Sequence, residues 1–367
     1  MKIRNSWRCR LAGLALLLAA GAAAADWYPL PVHVWNPPFN NERQRVDDVY
    51  EPLERATRRW NICVSMPHLK DAYWVAVNFG LVDEAKRLGV NLIIYEAGGY
   101  ERIDAQRQQI QECLADGFDG KGPDGFLLSA VNADALNDLV ATMKADGVPV
   151  VDMINGITST DISGRAAVNY YDLGHRIGEY LLEQHPAGQG PATVAWFPGP
   201  DGPVWAMDGD NGFKDAMAGT HIEIVATRNG DTGKATQNRL IEEVLDEMGD
   251  GAASLDYIVG NGPSAEAALS VLRKRGLDKD IQVLSYYYGP GVHQAIKRGT
   301  VVAAATDSPV LLARLSLDMM TRILEKQPYL KHVAPRVALV DRATLPEWDS
   351  SVALPPRGFR ATFSVEE

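Results

Sequence analysis

The sequence predicts an α/β protein with two doubly wound, Rossmann-like lobes and a ligand cleft between them. Short apolar runs typical of buried parallel strands alternate with segments of helical, 3.6-residue periodicity. This alternation restarts near residue 169. With 367 residues, the chain is long enough for a leader and two domains.

Residues 1–25 have the pattern of a secretory signal peptide. Four basic residues precede the apolar stretch LAGLALLLAAGAAAA, and cleavage is expected near Ala25 and Asp26. A retained membrane anchor is the alternative, but the stretch is shorter than the roughly 20 residues of a spanning helix. We therefore expect export to the periplasm.

The chain is acidic. Without the leader it has 32 Lys and Arg against 47 Asp and Glu, a net charge of −15. Such a surface repels phosphate backbones, which argues against nucleic acid as a partner. The seven histidines lack the spacing of a catalytic metal site, and no Gly-x-Ser-x-Gly motif marks a nucleophile. The sequence therefore favours a binding protein without metal or cofactor over an enzyme.

The first lobe is expected to comprise residues 58–168 and 306–335, after an extended lead-in over 26–57. Its strands are predicted in WNICVSM, NLIIYEAGG, DGFLLSAV and VPVVDMI. Its helices are predicted over 71–88, 103–117, 132–146 and 309–325.

The second lobe is expected over residues 169–305, followed by a C-terminal strand and tail over 336–367. Its strands are predicted in ATVAWF, IEIVAT, LDYIVG, IQVLSY and VVAAAT, with RVALV as the C-terminal strand. Its helices are predicted over 171–185, 211–218, 234–248, 264–275 and 291–298. The Gly-rich segment 199–212 is interpreted as a loop leading to a helix N-terminus, because its acidic residues lack the distant Glu of an EF-hand.

Two cysteines remain after the leader. Cys63 falls in the first predicted strand and Cys113 in the second predicted helix of the same lobe. In an oxidising compartment such a pair often forms a disulfide, which we expect here. Two buried, reduced thiols are the alternative.

Aromatic residues cluster where ligand should bind, after the carboxyl ends of the predicted strands. Large rings also cover strand ends simply by packing. So many at one rim favour an aromatic box for a methylated cation, which ring faces attract. The residues are Tyr73, Trp74, Tyr100, Tyr170, Tyr171, Trp205, Tyr286, Tyr287 and Tyr288.

Several stretches resemble the type I periplasmic binding proteins of the ribose-binding class, which close two lobes on a small ligand. They are DAYWVAVNFGLVDEAKRLGV, GVPVVDMIN, RAAVNYYDLGHRIGEYL and VLSYYYGPGVHQAIKRGTVVAAATDSP. The resemblance implies the bilobal fold and a non-enzymatic binding role.

Other stretches resemble the periplasmic sensors of trimethylamine N-oxide within this family, which work with a membrane histidine kinase. They are RWNICVSMPHLKDAYWVAVNFG, FPGPDG, LSYYYG and PRGFR. This resemblance implies trimethylamine N-oxide as the ligand and the periplasmic domain of such a kinase as the partner. The extra DGKGP at 119–123 and the long lead-in depart from that pattern.

The sugar-binding members of the family typically carry charged residues where this chain has other groups. Gly262-Pro263 replaces Asn-Asp, Tyr286–Tyr288 replaces Phe-Asp-Gly, and Asp152-Met153 replaces Asp-Arg. Sugar hydroxyls buried without such partners would cost about 1 to 3 kcal/mol each. A sugar ligand is therefore disfavoured.

Trimethylamine N-oxide combines methyl groups on a cationic nitrogen with an anionic oxygen. Tyr and Trp offer it both a ring face and a hydrogen-bond donor. Tyr287 is the first choice, because it occupies the position of a ligand-binding carboxylate in the sugar binders. For Asp307, an N-cap role before Pro309 is the alternative. The complete set of expected ligand-binding residues is Trp60, Tyr73, Trp74, Tyr170, Trp205, Tyr287 and Asp307.

The alternative function is delivery of a sugar or a methylated amine to an ABC importer. An enzyme that reduces an N-oxide would need a redox centre, and the sequence contains no motif for one. A sensor of trimethylamine N-oxide is therefore the first expectation.

Overall fold

A computed structural model of the protein describes residues 27, 29–39 and 44–366, so the predicted signal peptide lies outside the described residues. The strands are β1 (Leu30–Trp35), β2 (Arg45–Tyr50), β3 (Asn61–Met66), β4 (Asn91–Glu96), β5 (Gly125–Leu128), β6 (Val150–Met153), β7 (Gly164–Ala166), β8 (Ala192–Phe197), β9 (Ile222–Thr227), β10 (Tyr257–Gly260), β11 (Gln282–Ser285), β12 (Ala303–Thr306), β13 (His332–Pro335), β14 (Ala338–Asp341) and β15 (Ser364–Val365). The α-helices are α1 (Ala72–Leu88), α2 (Ile103–Asp116), α3 (Asn137–Ala145), α4 (Tyr170–Gln184), α5 (Val204–Met217), α6 (Lys234–Met248), α7 (Gly262–Arg275), α8 (Pro290–Arg298) and α9 (Pro309–Leu324).

The strands form two separate sheets, one in each lobe. The first has the order β15-β4-β3-β5-β6-β7-β13-β1-β2, and the second β14-β12-β11-β10-β8-β9. Neighbours from β4 to β13 in the first sheet and from β12 to β9 in the second are parallel. Parallel strands covered by helices on both faces explain the apolar runs of the sequence. The predicted fold class, two doubly wound lobes, is confirmed.

The segment expected to be an extended lead-in contains a hairpin of β1 and β2. It pairs antiparallel with β13 and so extends the first sheet. Leu30, Val32 and Trp35 of β1 are buried, whereas most of β2 is exposed. The charged edge formed by Asp47 and Asp48 discourages further strand pairing.

The chain passes between the lobes at three short segments, 167–169, 307–308 and 336–337. Helix α9 returns to the first lobe, where it packs on α1 and on β5 to β7. The tail then crosses once more, from β14 in the second sheet to β15 at the edge of the first.

Helix α5 corrects the interpretation of residues 199–212 as a loop. It begins at Val204, seven residues before the predicted start, and includes Gly209 and Gly212. A Cβ at Gly212 would lie 2.0 Å from the carbonyl oxygen of Tyr171, and one at Gly174 would lie 2.0 Å from that of Gly209. These glycines therefore permit the close approach of α4 and α5, although glycine weakens a helix by about 1 kcal/mol per residue.

Cys63 in β3 and Cys113 in α2 form a disulfide, with their Cα atoms 6.5 Å apart. Both residues are fully buried, among the apolar side chains between the first sheet and α2 and α3. The bond therefore ties α2 to the centre of the first sheet.

Candidate functional site

Six buried aromatic rings meet between the lobes and form what we call the cage. They surround a cavity of about 20 Å³, and Ile154 and Asn155 complete its wall. The six side chains are only 2–7% exposed. The first lobe contributes Tyr73, Trp74 and Tyr100, and the second contributes Tyr170, Trp205 and Tyr287.

The rings of the cage touch one another within and across the lobes, mostly edge to face. The ring centroids of Tyr73 and Tyr287 are 5.3 Å apart across the cleft at an angle of 61°, and within the second lobe those of Trp205 and Tyr287 are 5.9 Å apart at 76°. Tyr100 and Trp205 also meet across the cleft, at 5.7 Å. Such edge-to-face contacts are favourable, so the rings hold the lobes together in this closed arrangement.

Helix N-termini place four of the six rings. Asp71 caps α1 by accepting a hydrogen bond from the backbone N–H of Trp74 at 3.2 Å, which fixes Tyr73 and Trp74 in the first turn. Asn169 caps α4 in the same way, so that Tyr170 is its first residue. Trp205 is the second residue of α5. Because these helices follow parallel strands, their first turns all meet at the carboxyl ends of the strands.

Asp307 supplies a buried carboxylate behind the rings. Its Oδ2 accepts hydrogen bonds from the hydroxyls of Tyr73 and Tyr170, the latter at 3.0 Å, while Oδ1 has no hydrogen-bond partner among the described residues. Burial raises the pKa of Asp307 to about 6, although the two phenol hydroxyls oppose the shift. The alternative role as helix N-cap does not apply, because the N-cap of α9 is Ser308.

The indole N–H of Trp205 is a second polar group available to a ligand. It is buried and makes no hydrogen bond of acceptable geometry in the described part of the chain, although the Tyr100 hydroxyl lies close enough for the indole to oppose the rise that burial causes in the pKa of that phenol. A buried donor without an acceptor costs about 1 to 3 kcal/mol. An acceptor atom on a ligand would remove that cost. Ring faces and an indole donor are groups that complement a methylated cation and an anionic oxygen, respectively.

The backbone is strained at two points beside the cage. Ile154 has φ of 69°, and Ser308, next to Asp307, has φ of 57°. A β-branched residue at positive φ is a steric outlier that costs about 1 to 3 kcal/mol, and such residues occur mostly at functional sites. At Ile154 the strain bends the chain after β6, so that Ile154 and Asn155 line the cage.

Polar contacts also join the lobes around the cage. Lys70 forms an ion pair with Asp231 at 2.8 Å, and the His68 ring lies 3.2 Å from the Thr232 hydroxyl. The hairpin reaches the second lobe through an ion pair between Arg45 and Asp172. The half-exposed ion pairs contribute little stability, about 0 to 1 kcal/mol each, so they can break when the lobes open.

The structure brings six of the seven expected ligand-binding residues together. Trp60 is the exception, and its assignment is wrong on geometry. It precedes β3 at the amino end of that strand, opposite to the cleft. Its indole N–H donates to Glu325 at 3.2 Å, and the guanidinium of Arg58 lies 3.5 Å from the ring centroid. Trp60 was expected at the site because it lies in the stretch RWNICVSMPHLKDAYWVAVNFG that carries the resemblance, and not because it follows a strand.

Three residues of the cage wall, Tyr100, Ile154 and Asn155, are not in the set of ligand-binding residues expected from the sequence, although Tyr100 is among the rings expected at the rim. Tyr100 follows β4 at the carboxyl edge, so its position was a usable signal. Ile154 and Asn155 have no chemical signature of a site. The sequence also suggested that an Asp-Arg pair is missing here, but Asp152 pairs with Arg165 of β7, with Nε and Oδ2 2.6 Å apart.

The described residues contain no group of three His, Cys, Asp or Glu side chains that could hold a metal ion. Within the same residues, we find no helix with the length and apolarity to cross a membrane.

Comparisons with known proteins agree with this architecture. Periplasmic protein TorT of Escherichia coli strain K12 is 30% identical over 309 residues, 84% of this chain and 86% of TorT. A solved structure of an ABC transporter solute binding protein from Bradyrhizobium sp. BTAi1, with bound bis-tris, is 40% identical, with a TM-score of 0.79. The match covers 92% of this chain and 99% of the solute binding protein chain.

The structure of the TorS sensor domain–TorT complex in the presence of trimethylamine N-oxide is also similar. The matched chain is 34% identical, with a TM-score of 0.73, and the match covers 83% of this chain and 99% of that one. The periplasmic binding protein domain matches residues 62–328, which include most of both lobes and every ring of the cage. The chain therefore belongs to the periplasmic binding protein domain family and is similar to TorT.

Proposed function

We propose that the protein senses trimethylamine N-oxide in the periplasm and regulates a membrane histidine kinase similar to TorS. One observation carries the proposal: six buried rings from both lobes surround a cavity with a buried carboxylate behind them and an unpartnered indole donor in the wall. The similarity to TorT, and to TorT in its complex with the TorS sensor domain, supports the choice of ligand and partner.

The chemistry of the cage fits that ligand. Each ring contributes roughly 0.5 to 2 kcal/mol to a cation, so several rings together reach the approximately 8 kcal/mol of micromolar binding. Asp307 adds a negative charge near the methylated nitrogen, and Trp205 offers a donor to the oxide oxygen. At about 20 Å³ the cavity has room for about one water molecule. The rings must therefore separate to admit five heavy atoms.

Ligand controls the lobes because both lobes contribute walls of the cage. A ligand shifts the equilibrium between open and closed forms only by its difference in affinity for the two. A kinase domain that contacts both lobes would bind the open and closed forms with different affinities. By linkage, kinase binding would then change the affinity for ligand by the same factor by which ligand changes the affinity for the kinase.

Calorimetry with the purified exported protein tests the ligand. Trimethylamine N-oxide and tetramethylammonium should bind, whereas ribose should not. Binding of ribose, without binding of trimethylamine N-oxide or tetramethylammonium, would overturn the ligand assignment. The partner is tested by co-purification with the periplasmic domain of a TorS-like kinase, with and without trimethylamine N-oxide.

Delivery of a solute to an ABC importer is the second candidate. It is favoured by the 40% identity to a solved structure described as an ABC transporter solute binding protein. If a methylated amine binds but no kinase domain co-purifies, the importer function becomes the better one.

A further inference from the structure

A second cavity, which we call the chamber, lies directly beside the cage. Its volume is about 180 Å³, and it shares Ile154, Asn155 and Tyr170 with the cage wall. The crossing segment 167–169 forms another side, so the chamber lies at the hinge between the lobes. A ligand in the cage therefore has polar space next to it that trimethylamine N-oxide is too short to use.

Arg165 gives the chamber a fixed positive charge. Its side chain is only 10% exposed. Nε donates to Asp152 and Nη2 donates to the carbonyl of Ile157. In the described part of the chain these two atoms account for the hydrogen bonds of the guanidinium, which leaves Nη1 for a ligand. A guanidinium held in this way is suited to a carboxylate, because the hydrogen bond is charge-assisted.

Asp208 gives the chamber a negative group at a different point of its wall. It lies on α5 and is half-buried, and among the described residues it has no ion pair with Arg165 within 4.0 Å. Burial raises the pKa of Asp208, and the positive charge of Arg165 opposes this rise. A ligand that complements the chamber has an anionic acceptor for the guanidinium of Arg165 and, near it, a hydroxyl donor for the carboxylate of Asp208.

We propose that the cage and the chamber form one bipartite site for a betaine, a compound that joins a quaternary methylammonium to a carboxylate through a short chain. The methylammonium lies among the rings of the cage, and the carboxylate accepts from Nη1 of Arg165. A hydroxyl on the connecting chain donates to Asp208. The cage half of this site rests on the proposed function, and the chamber half extends it to a longer ligand.

A third cavity, of about 240 Å³, borders the cage on another side and shares Tyr73 and Tyr287 with it. It is a weaker site for a carboxylate. Lys70 is already paired with Asp231 at 2.8 Å, and Lys234 is an exposed side chain near Glu266. Lys234 therefore supplies a matched control.

The first test compares ligands by calorimetry on the exported protein. Tetramethylammonium reports on the cage alone, γ-butyrobetaine adds the carboxylate, and L-carnitine adds a hydroxyl to the same chain. We expect γ-butyrobetaine to bind at least tenfold more tightly than tetramethylammonium, and L-carnitine at least threefold more tightly again. If tetramethylammonium binds and the betaines gain nothing over it, the chamber is not a subsite. If neither these ligands nor trimethylamine N-oxide binds, the proposed function itself fails.

The second test uses variants. Arg165→Lys keeps a charge beside Asp152 but removes the guanidinium, so the affinity for γ-butyrobetaine should fall at least fivefold more than the affinity for tetramethylammonium. Asp208→Asn should abolish the advantage of L-carnitine over γ-butyrobetaine. Lys234→Gln should change none of these affinities. A loss of γ-butyrobetaine affinity in Lys234→Gln but not in Arg165→Lys would overturn the proposal. Circular dichroism shows whether each variant is folded, and equal losses for both ligands in Arg165→Lys would also overturn the proposal.

Discussion

Aromatic side chains lie at both ends of the parallel strands, but their surroundings differ. At the amino end of β3, the ring of Trp60 faces the guanidinium of Arg58 and its N–H donates to Glu325. At the carboxyl ends, the ring of Trp205 faces other rings, and its N–H has no partner among the described residues. Trp60 has a cation and an acceptor supplied by the chain itself, whereas Trp205 has neither among the residues that the structure describes.

This difference separates a packing tryptophan from a candidate binding tryptophan. A cation–π contact and a satisfied N–H stabilise the fold wherever they form. A buried ring with an unpartnered donor costs free energy until something enters the site. The comparison therefore predicts that substitutions at the two ends affect different properties, stability at one and ligand binding at the other.

The largest effect is expected at Trp205. Replacing Trp205 with Ala removes a ring face and a hydrogen-bond donor, together worth about 3 kcal/mol, so affinity for trimethylamine N-oxide should fall about 100-fold. Trp60→Ala should leave that affinity unchanged and lower the melting temperature. Calorimetry and thermal unfolding followed by circular dichroism measure the two properties.

A second variant at Trp205 separates loss of ligand binding from misfolding of the alanine variant. Trp205→Phe keeps a ring but not the N–H, and should weaken binding by about tenfold, the equivalent of one hydrogen bond of about 1.4 kcal/mol. The comparison breaks down if Trp60→Ala reduces affinity as much as either Trp205 variant.

The next effect is a pH dependence of ligand affinity, which Asp307 behind the cage should cause. Burial raises the pKa of Asp307 to about 6, and its ionised form favours a cation. Above pH 6 the carboxylate is charged and affinity is full; as the pH falls through 6 the carboxyl becomes protonated and affinity declines. Between pH 7 and pH 5 we expect about a tenfold loss, since one pKa unit corresponds to a factor of ten.

Tetramethylammonium is the ligand for this measurement, because its charge does not change with pH. Asp307→Asn should bind it weakly at every pH with a flat profile. A wild-type affinity that stays constant from pH 7 to pH 5 would show that the Asp307 charge does not act on the ligand.

The same two ends show what the sequence can and cannot predict. The rule that ligands bind at the carboxyl ends of parallel strands grouped Tyr73, Tyr170 and Trp205, which are far apart in the chain and lie together in the structure. Helix α1 was predictable as well, because Asp71 caps it and Gly89 ends it at φ of 78°. Trp60 was misplaced because a sequence match does not specify at which end of a strand a residue lies.

Other features depend on contacts between distant segments. Gly209 and Gly212 favour a loop by their propensity, yet the close packing of α4 on α5 requires them inside a helix. Strand β7 has three residues, Gly164–Ala166, with no apolar run to mark it. It nevertheless carries Arg165, so the pair with Asp152 beside the cage could not be predicted from the sequence.

The smallest effect concerns three consecutive tyrosines at the carboxyl end of β11, of which one lines the cage. Tyr286 donates its hydroxyl to the carbonyl of Pro198, and the Tyr288 hydroxyl lies 2.5 Å from Nδ1 of His293 in the core of the second lobe. Tyr287 lines the cavity. Tyr287→Phe should weaken ligand binding by about two- to tenfold, the range for one hydrogen bond of roughly 0.5 to 1.5 kcal/mol, with the ring face retained. Tyr288→Phe should alter only thermal stability. Calorimetry on both variants decides whether Tyr287 binds ligand through its hydroxyl. If both variants have equal and negligible effects on ligand affinity, the tyrosines at this strand end contribute only to packing.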